Sequence, residues 1–342
     1  MFLMKILLIK TSSLGDVLHT FPALTDLQQH FPKAEVTWVV EEAFASIPTW
    51  HPLVKKVIPI ALRRWRKHLS RQTGSELKAF LHILRIEKYD YILDAQGLLK
   101  SAIVSRLARG PRYGLDRHSA REPLASFFYQ HKIAVSTELH AILRLRHLFA
   151  KSLAYQFDPV QLAYGITLPL SPVNLNVPQP YVIFLHATTW ETKLYPEVSW
   201  RGLVGLAIKQ GYAVVLPWGN PEEKLRSERI AKDFPACEIP PKLNLSEVAG
   251  LLQGARGVIA VDTGLGHLAA ALSVPTVSLY GPTNPARTGT IGKYQVHLAA
   301  TFECAPCLQK QCTYRGESVV FPACFGSLAP AKVWERFLAV LQ

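Results

Sequence analysis

The sequence predicts an α/β fold made of two doubly wound, Rossmann-like domains facing a central cleft. Apolar runs of strand length alternate with amphipathic helical stretches from the N-terminus onward, the pattern of a parallel sheet covered on both faces. The alternation breaks once, at 168–180, where four prolines disfavour helix and inner strand alike. It then restarts and runs to the C-terminus. At 342 residues the chain also exceeds the comfortable size of a single hydrophobic core.

In the first half the strands are expected at 5–10, 36–40, 56–60 and 89–94, with helices at 22–30, 75–85, 98–108 and 140–153. In the second half strands fit 181–186, 213–217, 257–262 and 276–280, with helices at 200–210, 222–234, 245–253 and 264–272. The expected organisation is a first domain over 1–170, a proline-rich linker over 171–180, a second domain over 181–329 and a closing amphipathic helix over 330–342.

Composition narrows the class. Hydrophobic residues make up 49% and charged residues 18%, which suits a globular protein with ample core and excludes a disordered one. No apolar run reaches the roughly 18–20 residues of a membrane span. The first residues read as a strand without a signal-peptide cleavage site, so a cytoplasmic location is expected. The formal net charge of +13 implies an anionic partner: nucleic acid, an acidic membrane face or a phosphorylated substrate. The densest cations are Arg63, Arg64, Arg66 and Lys67, which flank Trp65, an indole suited to a bilayer interface. A nucleic-acid grip would explain the charge but none of the motifs below, and no nucleic-acid partner is expected.

Four strand ends carry chemistry. The first strand runs into Lys10-Thr-Ser-Ser-Leu-Gly-Asp16, at the carboxyl edge where open α/β sheets bind ligands. There Gly15 permits a tight turn, Ser13 offers a hydroxyl and Asp16 is a short-armed base. In the second half the turn His186-Ala-Thr-Thr-Trp-Glu-Thr-Lys193 sets the hydroxyls of Thr188 and Thr189 and the Lys193 cation as a phosphate cradle. Trp218, Gly219 and Glu223 follow another strand and suit an aromatic base and a ribose diol. On its own, this turn reads better as the acidic first turn of a helix, with Glu222 and Glu223 favourable to its dipole. The run Asp262-Thr-Gly-Leu-Gly-His267 puts Thr263 and Gly264 at a helix mouth, which favours a pyrophosphate, with His267 one turn in. Neither Gly-x-Gly-x-x-Gly after a strand nor Gly-x-x-x-x-Gly-Lys-Ser/Thr occurs, which disfavours dinucleotide oxidoreductases and P-loop kinases.

Cys237 stands alone and reads as core. Cys304, Cys307, Cys312 and Cys324 are spaced x2, x4 and x11. In a cytosolic chain this spacing suggests a structural zinc or iron site more than disulfides.

These residues resemble the GT-B lipopolysaccharide heptosyltransferases over nearly the whole chain. The resemblance rests on the Lys10–Asp16 loop, Trp38-Val-Val-Glu-Glu42, Arg63-Arg-Trp-Arg-Lys67, Asp94-Ala-Gln-Gly-Leu98, Arg121-Glu-Pro-Leu-Ala-Ser126, Phe184-Leu-His-Ala-Thr-Thr189, Val261-Asp-Thr-Gly264 and Tyr280-Gly-Pro-Thr283. The Arg63–Lys67 and Arg121–Ser126 segments are similar to the type I branch. The resemblance implies inverting transfer of L-glycero-D-manno-heptose from ADP-heptose to the first Kdo of Kdo2-lipid A, with no cofactor required for catalysis. It implies Asp16 as general base, with Ser13 and Gly15 beside it on the acceptor side. Arg63, Arg64, Arg66, Lys67 and Arg121 would receive the acidic acceptor. Thr188, Thr189 and Lys193 would contact the diphosphate, Trp218, Gly219 and Glu223 the adenosine, and Asp262, Thr263, Gly264 and His267 would line the donor pocket. The enzyme would sit peripherally on the cytoplasmic face of the anionic inner membrane. The alternative left open is a related transferase with another sugar nucleotide or acceptor, such as a heptosyltransferase II-like or protein heptosyltransferase. The tetracysteine stretch departs from the simplest members of the family.

Overall fold

The computed structural model describes residues 3–68, 70–168 and 177–342. The chain divides into two compact units, Met1–Leu168 and Pro169–Gln342. Most of the linker expected at 171–180 lies outside the described residues.

The first unit comprises β1 (Lys5–Ile9), α1 (Leu14–Leu18), α2 (Phe21–His30), β2 (Glu35–Glu41), β3 (Val54–Ile60), α3 (Leu62–Lys67), α4 (Arg71–Ile86), β4 (Tyr91–Asp94), α5 (Leu99–Leu107), β5 (Arg112–Leu115), β6 (His131–Ile133) and α6 (Ala141–Leu153). Its six strands form one parallel sheet in the order β3-β2-β1-β4-β5-β6. The central strand β1 is Lys-Ile-Leu-Leu-Ile, with Ile6 to Ile9 fully buried. A strand covered on both faces has to be apolar on both, which is why the run shows no alternation. Ile9 pairs with Val39 on one side and Asp94 on the other. Three strands therefore end in one row, and the loops after β1, β2 and β4 gather at one edge.

The second unit comprises β7 (Tyr181–Leu185), α7 (Glu197–Lys209), β8 (Ala213–Val215), α8 (Pro221–Ala231), β9 (Cys237–Glu238), α9 (Leu245–Gly254), β10 (Val258–Val261), α10 (Gly264–Ala271), β11 (Thr276–Tyr280), α11 (Pro285–Thr288), β12 (Gln295–Ala299) and α12 (Pro330–Leu341). Its parallel sheet runs β12-β11-β10-β7-β8-β9. Ala260 pairs with Leu185 and with Ser278, so β7, β10 and β11 also finish side by side. The closing helix α12 packs on α7 and β11 of this unit, with Val333, Trp334 and Phe337 in its core. Gly281, just past β11, lets the chain run under the aromatic layer, where an added Cβ would lie 2.8 Å from the Phe325 ring. Among the described residues no helix is long and apolar enough to cross a membrane.

Four strands go beyond the expected set. β5, β6, β9 and β12 lie at or next to the sheet edges, where Arg112, His131 and Gln295 break the apolar pattern. Trp65 corrects the reading of an interfacial indole. It is only 9% exposed, packs among Ile58, Phe80 and Leu84, and donates its Nε1–H to Glu76 Oε2 at 2.7 Å. The flanking cations project outward while the ring faces the core.

A buried ion pair ties α2 to α6. Arg146 is 1% exposed and meets Asp26 in a two-pronged bond, Nε–Oδ2 2.7 Å and Nη2–Oδ1 3.0 Å. Its Nη2 also donates to the Asp158 carbonyl at 2.8 Å. Arg146→Met would strand the Asp26 carboxylate in the core, at a cost of about 3–5 kcal/mol. Urea unfolding should show this loss, and the double variant Asp26→Leu/Arg146→Met should recover most of it.

Candidate active site

In the first unit the strand-end loop is fixed from behind. Lys10 is buried; its Nζ donates to the Ala95 carbonyl at 3.1 Å and lies 3.6 Å from Asp16 Oδ1. The N–H groups of Thr11 and Ser12 both donate to Gln96 Oε1, at 3.0 and 3.2 Å. Asp94 Oδ1 in turn accepts the N–H groups of Gln96 and Gly97. Gly97 has φ +67°, a left-handed turn that glycine adopts at little cost.

Asp16 lies in the first turn of α1. Its Oδ2 accepts from the Ser13 N–H at 2.9 Å and the Ser13 hydroxyl at 3.0 Å. Its side chain remains 37% exposed. Ser13 is thus spent on orienting the carboxylate, and Gly15 is buried within α1. Burial opposes the charge on Asp16. The Lys10 cation, the Ser13 N–H, His19 and the Ser13 hydroxyl outweigh it, holding the carboxyl at about 2, well below its ordinary 3.8. The group is therefore ionised throughout the neutral range. Stability gained from this pairing is present above pH 3.8 and is lost as pH falls toward about 2. Activity should accordingly show no acid limb from Asp16 between about pH 5 and 8. A limb in that window that Asp16→Asn removes would contradict this electrostatic account.

Beside this edge lies a cavity of about 340 Å³ lined by Glu41, Glu42, Arg63, Arg64, Lys67 and His68. The cations of α3 are not equivalent. Arg64 is already held by Glu42 at 3.0 Å and Glu76 at 2.9 Å, while Arg63, Arg66 and Lys67 are exposed. Arg121 is exposed next to Glu122, whose N–H donates to the Gly97 carbonyl at 3.1 Å.

In the second unit the turns after β7, β10 and β11 are bonded together. Lys193 Nζ meets Asp262 Oδ2 at 2.7 Å, with the two side chains only 15% and 10% exposed. Thr283 donates to the same carboxylate oxygen at 2.7 Å, and Thr188 donates to the Asp262 carbonyl at 3.1 Å. The Lys193 ammonium lies 4.4 Å from the centroid of the Trp190 ring. Thr189 is exposed, Thr263 occupies the N-cap position of α10 without a side-chain capping bond, and His267 is buried one turn into the helix. His186 is fully buried, and burial lowers it to about 3; the neutral ring bonds Ser227 Oγ at 2.8 Å beneath the turn. After β8, Glu223 accepts from the Gly219 N–H at 2.7 Å and from the Asn220 amide at 2.9 Å. Trp218 donates to the Pro240 carbonyl at 2.8 Å. Glu223 therefore also serves the helix start, and its oxygens retain further acceptor capacity.

Cys304, Cys307, Cys312 and Cys324 lie near one another: burial first, then the other three thiols, push the Cys324 thiol up to about 11. Among the described residues no three His, Cys, Asp or Glu side chains converge as a metal-holding set. Cys304 is exposed, Cys307 and Cys312 are half-buried, and Cys324 packs in the apolar core beside Phe325. The loop braces the turn after β7, with the Gln309 carbonyl accepting from the Thr192 hydroxyl at 2.6 Å. Lys10, Gln96, Trp190 and Thr283 all lie in segments the sequence singles out, but their individual partners are set by the fold.

One doubly wound unit thus fixes a carboxylate at its sheet edge, and the other gathers a lysine and a helix mouth at its own. The family model for glycosyltransferase family 9 (heptosyltransferase) matches residues 77–317. The chain is 48% identical to lipopolysaccharide heptosyltransferase 1 of Pseudomonas aeruginosa, over 99% of this chain and 98% of that one. It is 49% identical to lipopolysaccharide heptosyltransferase 1 of Escherichia coli K12, over 88% and 95%. The solved E. coli heptosyltransferase WaaC with ADP-2-deoxy-2-fluoro heptose superposes with a TM-score of 0.83 at 43% identity, over 98% of this chain and 99% of that one. The chain belongs to glycosyltransferase family 9, the heptosyltransferases. It is an enzyme with the GT-B architecture of that family.

Proposed function

We propose that the chain catalyses the type I reaction of lipopolysaccharide core assembly: inverting transfer of L-glycero-D-manno-heptose from ADP-heptose to the first Kdo of Kdo2-lipid A. The enzyme works on the cytoplasmic face of the inner membrane, bound there peripherally. The observation that carries this reading is the Asp16 carboxylate, oriented by Ser13 and Lys10 at the sheet edge next to a cavity lined by Arg63, Arg64 and Lys67.

Inversion needs a single base on the sugar face opposite the leaving diphosphate. Asp16 is that base, and it is a weak one at about 2. Proton transfer is therefore late: the Kdo hydroxyl begins to bond to the anomeric carbon, its proton becomes acidic, and Asp16 then takes it. The bond from the anomeric carbon to the phosphate oxygen breaks with its electron pair leaving on ADP, through an oxocarbenium-like transition state. Lys193 and the N–H groups at the start of α10 stabilise the departing diphosphate. Lys193 is bound by Asp262; the incoming diphosphate competes for that ammonium. The cations of α3 and Arg121 take the Kdo carboxylates and the lipid A phosphates.

The nucleotide turns read ADP more directly than the sugar, so donor identity is tested by thermal shift. ADP-heptose should raise the melting temperature more than ADP alone or other sugar nucleotides at equal concentration. Greater stabilisation by a different sugar nucleotide would favour a transferase with another donor.

A further inference from the structure

An exposed apolar step stands next to the acceptor edge and serves no purpose in the chemistry above. A short 3₁₀ helix spans Pro123–Phe128. Its inner side packs Ala125 and Phe128, with Tyr129 just beyond, against Ala102 of α5. Its outer side carries Leu124, 59% exposed, and Phe127, 74% exposed. Residues three apart in a 3₁₀ helix are eclipsed, so the two side chains project together.

The step is held rigidly. Tyr129 donates to Asp94 Oδ2 at 2.7 Å, Glu122 N–H to the Gly97 carbonyl at 3.1 Å, and Leu99 N–H to Glu122 Oε2 at 2.6 Å. Asp94 and Gly97 belong to the same bonded turn whose Gln96 fixes the Asp16 loop.

The surroundings are cationic. Between residues 99 and 133 the chain has seven lysines and arginines against two carboxylates, and both carboxylates accept backbone N–H bonds. The Lys132 ammonium lies 5.8 Å from the Phe127 ring centroid. Arg117 and Arg121 are exposed before the step, and α5 exposes Lys100, Ile103 and Arg106.

We propose that Leu124 and Phe127, ringed by these cations, form the surface that docks the enzyme onto an anionic lipid bilayer. Two apolar side chains on one turn are far short of the ~1,000 Å² that a specific protein interface buries. They suit insertion at the acyl boundary, with lysine and arginine held at the headgroups. The docking brings the Asp94–Gly97 turn, and with it the Asp16 loop, to the height at which a lipid-borne acceptor presents its first sugar. This rests on the lipid-linked acceptor of the proposed function.

The test is flotation of the full chain with vesicles of phosphatidylcholine, with or without roughly a third phosphatidylglycerol. Transfer is assayed in parallel on fully deacylated acceptor and on acceptor embedded in vesicles. Wild type should float with the anionic vesicles and be released by salt. Leu124→Ser/Phe127→Ser should bind at least about tenfold more weakly, and Lys132→Glu several-fold more weakly. Both variants should keep the wild-type melting temperature and turnover on deacylated acceptor, and both should lose turnover on embedded acceptor in step with binding. Unchanged flotation of the double variant, equal wild-type binding to neutral vesicles, or a dimer that the double variant abolishes while vesicle binding persists would each overturn the docking surface. Failure of wild type on deacylated acceptor would instead count against the proposed reaction, leaving the flotation result to stand separately.

Discussion

Asp16→Ala should reduce heptose transfer by about 10²- to 10⁴-fold, the usual contribution of a positioned general base, while ADP-heptose binding changes little. The separation follows from the chain: Asp16 belongs to the first unit, and the residues proposed to hold the nucleotide belong to the second. Alanine also removes the partner of the Ser13 N–H and hydroxyl and could loosen α1. Asp16→Asn is therefore the sharper variant, since it keeps an acceptor oxygen for Ser13 while it loses the basicity and the charge that faces Lys10. Single-turnover kinetics with both variants measure the effect. Wild-type turnover in Asp16→Asn would remove Asp16 from the role of base.

Lys193→Ala should have the second largest effect, weakening ADP binding about 10- to 100-fold, as expected for loss of a charge-assisted bond. It should also slow transfer, because the charge on the leaving diphosphate grows in the transition state. The same substitution leaves the largely buried Asp262 carboxylate with the Thr283 hydroxyl at 2.7 Å but without its cation, so Lys193→Gln, which can still donate to Oδ2, is measured beside it. Calorimetric titration with ADP reads the binding loss. If Lys193→Ala bound ADP as tightly as wild type, the cation would serve the Asp262 turn alone.

The sheet logic was legible because apolar strands covered on both faces leave an unmistakable record. The runs at β1, β7, β10 and β11 have nearly every residue buried. Within each parallel sheet the carboxyl ends lie on one edge, so the turn at Lys10–Asp16 in the first unit and those at Thr188–Lys193 and Asp262–His267 in the second could be read as chemistry. What escaped depends on partners distant in sequence. Gln96 supports the loop at Thr11 and Ser12 from 85 and 84 residues away. Arg64 reads as a free acceptor cation in a basic run, yet it is bound by Glu42 and Glu76. Trp65 reads as interfacial because its neighbours are charged, and only the packing of α4 on β3 turns it inward. The cysteine spacing suggested a metal; Cys304, Cys307 and Cys312 do gather near Cys324, though among the described residues no three such side chains converge as a metal-holding set.

The most direct test of the account is to incubate the purified chain with ADP-heptose and lipid A that bears Kdo but no heptose, then weigh the lipid by mass spectrometry. The account predicts the gain of a single heptosyl unit on the Kdo, with release of ADP. An unchanged lipid beside intact donor, under conditions where the chain binds ADP-heptose, would contradict it.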